Sequence, residues 1–199
     1  IKNEDVRMKE KLVRTFFSIP VPEQVRSVKN MLYSSMKDNN GEVKWVRDYQ
    51  LHITLSFLGH TPTDAIKTIK TVTKDIFCNH KPIELTIEKT GCFPTPSRPR
   101  VLWLGVAGET DRLELVANDI ASSLSPLGYH FDDNSFIPHV TIARIRYPQK
   151  HTPDINQFLK SSYDGIVFHA DRVQFLCSEL LADGAVYTIL KSFPLGEKL

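Results

Sequence analysis

Two short stretches carry the residues best suited to chemistry: His52-Ile53-Thr54-Leu55-Ser56-Phe57-Leu58 and Pro138-His139-Val140-Thr141-Ile142-Ala143-Arg144. Each reads histidine, apolar, threonine, apolar. An imidazole titrates near 6.5 and can take or give a proton at neutral pH. Two of them, one neutral and one protonated, can strip a proton from water and hand another to a departing oxygen. Displacement at phosphorus demands that paired task, each half being worth ~10²–10⁴-fold. The Thr54 and Thr141 hydroxyls can donate hydrogen bonds to phosphoryl oxygens as their charge grows. Such a site calls for no metal, no cofactor and no covalent intermediate. For a metal-dependent alternative the conceivable ligands are Asp132, Asp133 and His139. There is no helical His-x-x-x-His and no cysteine cluster to support them, and Asp132-Asp133-Asn134 reads as a turn.

Both stretches are rich in β-branched and aromatic residues and are expected to be strands. Alternation then places His52, Thr54 and Ser56 on one face and Ile53, Leu55 and Phe57 on the other, with Phe57 in the core. In the second copy His139 and Thr141 face together, opposite Val140 and Ile142. Arg144 has the guanidinium that phosphate favours, yet strict alternation turns it away from His139 unless the strand bulges. Phe136 is a candidate for stacking on a base. Arg98 and Arg100 are expected in a solvated loop. His60, His80, His130, His151 and His169 belong to no evident motif and are read as surface or structural residues.

Around these stretches the chain alternates strands and helices. Leu12 to Ile19 reads as a strand. Val25, Val28, Leu32 and Met36 form the stripe of a helix that Asn39-Asn40-Gly41 ends. After the first motif, Thr61 is expected to cap a helix with Pro62 and Asp64 in its first turn. Ile83 to Glu88 and Val101 to Val106 follow as strands. A helix begins near Asp111 and stops near Gly128. Beyond the second motif, Thr152-Pro153-Asp154 opens another helix, and Ile166 to Cys177 and Ala185 to Phe193 are two strands turning at Asp183-Gly184. The order in the two halves matches: helix, His-x-Thr strand, Thr-Pro-capped helix, strand pair. Residues 1–199 are therefore expected to form one bilobal α+β domain, each lobe an antiparallel sheet with helices on its outer face. An approximate two-fold axis would bring His52 and His139 together across a central cleft.

Composition bounds the rest. The 199 residues suffice for a substantial core, and the net charge of +2 excludes a protein that coats long nucleic acids, so any RNA contact is local. No run of about 18 apolar residues occurs, which argues against a membrane-spanning helix. The polar start Ile1-Lys2-Asn3-Glu4-Asp5 is unlike a secretory leader, and Met8 is a candidate start. Three widely spaced cysteines, Cys78, Cys92 and Cys177, fit a reducing cytoplasm. A self-contained pair of motifs suits a monomer.

With both motifs in view the chain resembles the 2H phosphoesterases, and within them the RNA 2′,3′-cyclic phosphodiesterases, also called 2′–5′ RNA ligases. The likeness runs through Arg14 to Ile19, His52 to Gly59, Gly91 to Pro94, Arg98 to Val106, Phe136 to Arg144 and Tyr187 to Leu195. It implies hydrolysis of a terminal 2′,3′-cyclic phosphate on RNA or a nucleoside to a 2′-phosphomonoester, and joining of RNA ends through a 2′–5′ linkage. It also implies His52 as proton donor to the leaving 3′ oxygen and His139 as proton acceptor from water. The repeat by itself leaves those two roles open. Other readings are a non-catalytic RNA-end binding module and a phosphodiesterase acting on another cyclic or 2′–5′ phosphodiester.

Overall fold

The computed structural model describes residues 11–36, 41–131, 136–181 and 184–196. In chain order it runs β1 (Leu12–Pro20), α1 (Gln24–Ser35), β2 (Lys44–Trp45), β3 (His52–Pro62), α2 (Ala65–Phe77), β4 (Ile83–Phe93) and β5 (Val101–Gly108). It continues with α3 (Thr110–Leu124), β6 (His139–Arg144), α4 (Asn156–Lys160), β7 (Ile166–Ala170), β8 (Arg172–Leu181) and β9 (Gly184–Pro194).

The strands lie side by side as β7-β4-β5-β6-β3-β1-β8-β9, with β2 added on β6. Neighbours are antiparallel, as the expected α+β class requires. The two motif strands are adjacent, and a single residue pair, Ile53 with Val140, joins them. That seam divides the sheet into two lobes, β3-β1-β8-β9 and β6-β5-β4-β7. The lobes are interlaced. Strands β4 and β5 follow the first motif in sequence yet pair beside the second, whereas β8 and β9 follow the second and pair beside the first.

One face of the sheet is apolar. Phe17 and Ile19 of β1, Ile53 of β3, Ile83, Leu85 and Ile87 of β4 and Leu102 and Leu104 of β5 are fully buried. Helices close over them with Val25 and Leu32, Ile69 and Phe77, and Leu113, Val116, Ile120 and Leu124, spaced by threes and fours. Phe17 lies stacked on Phe175 with ring centroids 4.6 Å apart, and Phe77 lies 6.0 Å away. Phe17→Ala is therefore expected to cost about 3–5 kcal/mol in a urea titration, through lost burial and the cavity left behind.

Three expected elements differ. Thr61 caps nothing: β1 pairs with β3 as far as Leu12 with Pro62, and the buried Thr61 hydroxyl shares a 2.7 Å hydrogen bond with Thr15. Helix α2 starts after Asp64, whose side chain makes no capping bond. The run from Ile166 to Cys177 breaks at Asp171, because β7 adds to β4 at one edge while β8 crosses to β1 in the other lobe. The helix after Pro153 is short, with the Asp154 carboxylate accepting from the Asn156 N–H at 2.9 Å. Asn39, Asn40 and Asp183 lie outside the described residues. No helix among the described residues is long and apolar enough to cross a membrane.

Candidate active site

Strands β3 and β6 carry the same irregularity at the same place. Across β3, Phe17 pairs with Ser56 and Ser18 with Thr54, so Leu55 is an extra residue; across β6, Leu102 pairs with Ala143 and Trp103 with Thr141, so Ile142 is extra. Such a bulge reverses the alternation beyond it. Both strands accordingly read half-buried, buried, half-buried, buried, buried, exposed over six residues. His52 and Thr54 keep their common face, as do His139 and Thr141. Ser56 does not share it: it turns into the core beside Leu55, as Ala143 does beside Ile142. The sixth residue of each strand returns to the histidine side. Those residues are Phe57 and Arg144. Phe57, expected in the core, is 63% exposed.

The two imidazoles are held alike. His52 Nδ1–H donates to the Gln50 carbonyl at 2.7 Å, and His139 Nδ1–H donates to the Ile137 carbonyl at 2.8 Å. A carbonyl only accepts, so each Nδ1 carries a proton and each Nε2 is the working nitrogen. The Thr54 hydroxyl donates to His52 Nε2 at 3.1 Å. Below each threonine the floor holds a spare donor. Ser18, paired with Thr54, and Trp103, paired with Thr141, have a buried hydroxyl and a buried indole N–H with no partner among the described residues.

Aromatic rings wall both sites. His52 sits 5.0 Å from Phe16 and edge-on at 5.6 Å to Tyr187; His139 sits edge-on at 5.2 Å to Phe93 and 6.3 Å from Trp103. Burial among these rings lowers both histidine pKa values below the ordinary value. The Gln50 and Ile137 carbonyls oppose that shift, and the Arg144 charge adds to it at both rings. The proximity of His139 lowers His52 further. Burial raises the Tyr187 pKa, again with Arg144 close enough to act on it. Arg144 therefore bears on both histidines and on Tyr187, which only the bulge makes possible.

Trp103 lies flat across a residue that must be glycine. A Cβ on Gly91 would fall 2.1 Å from the Trp103 ring. Gly91→Ala is expected to push the indole out of the floor, destabilising the protein by about 1–3 kcal/mol and shifting its tryptophan emission, read together in one urea titration. The His52 side is braced from α1. Buried Lys29 pairs with Asp48 and donates to the Val46 carbonyl at 2.9 Å, while Arg26 reaches Asp48 at 2.7 Å. Gln50, which holds His52, is itself anchored by its side-chain amide on the Ala185 carbonyl.

Other sequence candidates fall elsewhere. Phe136 packs half-buried against the core, with no ring contact to either histidine. Arg98 and Arg100 are exposed, as expected, and sit over the Tyr147 ring at 5.0 and 5.7 Å. His80 and His169 pair with Asp119 and Glu84 at the surface. Asp132 and Asp133 lie outside the described residues; among those described, no group of three His, Cys, Asp or Glu could hold a metal ion. Sequence reasoning overlooked Phe16, Tyr187, Phe93 and Trp103 as site walls. Alternation along β1 alone carried a signal, since it sets Phe16 and Ser18 opposite Phe17 and Ile19.

Comparison with known proteins agrees with this architecture. The family model for the 2′-5′ RNA ligase superfamily matches residues 20–179. The chain is 31% identical over 191 residues to an RNA 2′,3′-cyclic phosphodiesterase of Aquifex aeolicus, covering 94% of this chain and 99% of that one. It is 30% identical over 179 residues to the protein of the same name from Thermotoga maritima, covering 89% and 93%. The crystal structure of TT0787 from Thermus thermophilus superposes with a TM-score of 0.77 at 25% identity, over 94% of this chain and all of that one. Apo LigT of E. coli shares the fold with a TM-score of 0.70 at 23% identity, over 94% and 99%. Two sheet lobes meeting at paired His-x-Thr strands are the mark of the 2H phosphoesterases. Within that class the chain belongs to the 2′-5′ RNA ligase superfamily.

Proposed function

We propose that this protein is an RNA 2′,3′-cyclic phosphodiesterase that opens a terminal cyclic phosphate to a 2′-phosphomonoester by two-histidine acid–base catalysis. The observation that carries the reading is the matched suspension of His52 and His139. Each is hung by Nδ1 from a carbonyl two residues upstream, with Arg144 acting on both rings. The spare donors under the threonines also suit an oxygen-rich ligand.

In this scheme His139 Nε2 takes a proton from water as the water oxygen bonds to phosphorus. The bond from phosphorus to the ribose 3′ oxygen breaks, and protonated His52 delivers its Nε2 proton to that oxygen. Thr54 and Thr141 donate to the non-bridging oxygens, and Arg144 balances their charge. A 5′-hydroxyl in place of water would leave a 2′–5′ phosphodiester, which is the ligase reaction by the same proton movements. One chain supplies both motifs, so the protein works as a monomer. Its cysteines are free, as a reducing cytoplasm would keep them.

The test is incubation with cytidine 2′,3′-cyclic phosphate in EDTA, with the products separated. Cytidine 2′-phosphate is expected. The 3′-phosphate, or no product at all, would overturn the assignment.

A further inference from the structure

The bulge shared by β3 and β6 delivers two different side chains to equivalent positions. On β6 the residue is Arg144, whose charge reaches both histidines. On β3 it is Phe57, which exposes an apolar ring on the same side of the sheet at 63%. Its ring lies 5.8 Å from Phe16, and Phe16 lies 5.0 Å from His52. An aromatic step thus leads outward from His52, while the corresponding step beside His139 is cationic. A large exposed apolar ring gains nothing from water, so this position is set for an occupant with a flat π-face.

We propose that Phe57 is the stacking platform for the nucleobase of the terminal nucleoside. The proposal rests on the reading of the cleft as a cyclic-phosphate site. Phosphorus between the two histidines fixes the ribose on one side or the other, and the base lies one sugar ring beyond it. Stacking on Phe57 puts the ribose on the His52 side, where its 3′ oxygen can receive the His52 proton. It leaves the Arg144 side to water or to an incoming 5′-hydroxyl. Because every base has a π-face, the platform accepts any of the four, purines most tightly.

The experiment compares adenosine 2′,3′-cyclic phosphate with the base-free methyl riboside 2,3-cyclic phosphate in the wild type, Phe57→Ala and Phe57→Trp. Phe57→Ala is expected to lower the ratio of kcat/KM for the adenosine over the base-free substrate by roughly 5- to 150-fold, the span for losing one base stack. Phe57→Trp is expected to restore that ratio. Adenosine 2′-phosphate should quench its emission beyond what wild-type Trp45 and Trp103 show. A ratio unmoved by Phe57→Ala would overturn the platform. If the wild type turns over neither substrate, the cyclic-phosphate reading fails by itself. The extra quenching then still decides whether a base stacks at Phe57, and its absence refutes the stack.

Discussion

His52→Ala and His139→Ala are each expected to reduce kcat/KM for cytidine 2′,3′-cyclic phosphate by ~10²–10⁴-fold, the usual worth of one positioned proton transfer. The double replacement should cost little more than the worse single one, because acid and base act in one transition state and their losses do not multiply. The pH profile separates their roles. A wild-type bell needs a neutral base, so it rises with pH on its acid limb, and a protonated acid, so it falls on its alkaline limb. His139→Ala should flatten the rising limb and His52→Ala the falling one. The reverse pattern would exchange the two roles, which the matched geometry of the rings leaves to this measurement. Wild-type-like turnover in either variant would remove that histidine from the mechanism. Circular dichroism serves as the folding control, since both rings are partly buried.

The second large effect is expected at Arg144. Burial lowers both imidazole pKa values, and the arginine charge lowers them further by penalising a second positive charge nearby. The wild-type kcat/KM profile should therefore peak on the acid side of the ordinary histidine value of about 6.5. Arg144→Gln removes the repulsion, so both imidazoles hold their protons to higher pH and both limbs move alkaline. The same change strips the phosphoryl group of its counter-charge, with an expected loss of about 1.5–3 kcal/mol, roughly 10- to 100-fold in kcat/KM. Arg144→Lys retains the charge and should leave the limbs in place while losing the two-pronged grip on oxygen. Initial rates from pH 4.5 to 8.5 distinguish these outcomes. Limbs that stay put in Arg144→Gln would show that burial alone sets the two pKa values.

The repeat was legible because an imidazole and a hydroxyl two residues apart share a strand face whatever the strand pairs with. The elements expected over 12–19, 83–88 and 101–106 are strands, and helical spacing at Leu113, Val116 and Ile120 marked α3. The face of Phe57 and Ser56 was not legible. A bulge is a relation between a strand and its neighbour, so β3 read alone shows only regular alternation. Arg144 shares that blind spot. Thr61 carried a helix-capping signature, but ten more residues of ladder with β1 and the hydroxyl of Thr15 outweighed it. The break at Asp171 was hidden for a similar reason: residues on either side are equally strand-like, and only tertiary pairing sends them to opposite lobes. The Thr-Pro signal before α4 marked a real start, while the helix itself is a turn and a half.

The exchange of strand pairs across the seam also governs how the polypeptide matures on the ribosome. Strand β1 emerges early and finds β3 within some fifty residues, yet its other neighbour is β8, where Arg14 meets Ser178. Until that distant partner is synthesised, one edge of β1 stands unpaired and able to recruit foreign strands. Neither half of the gene product can complete a lobe by itself. Assembly must wait for the last quarter of the chain, and the many remote pairings predict slow, concerted acquisition of structure.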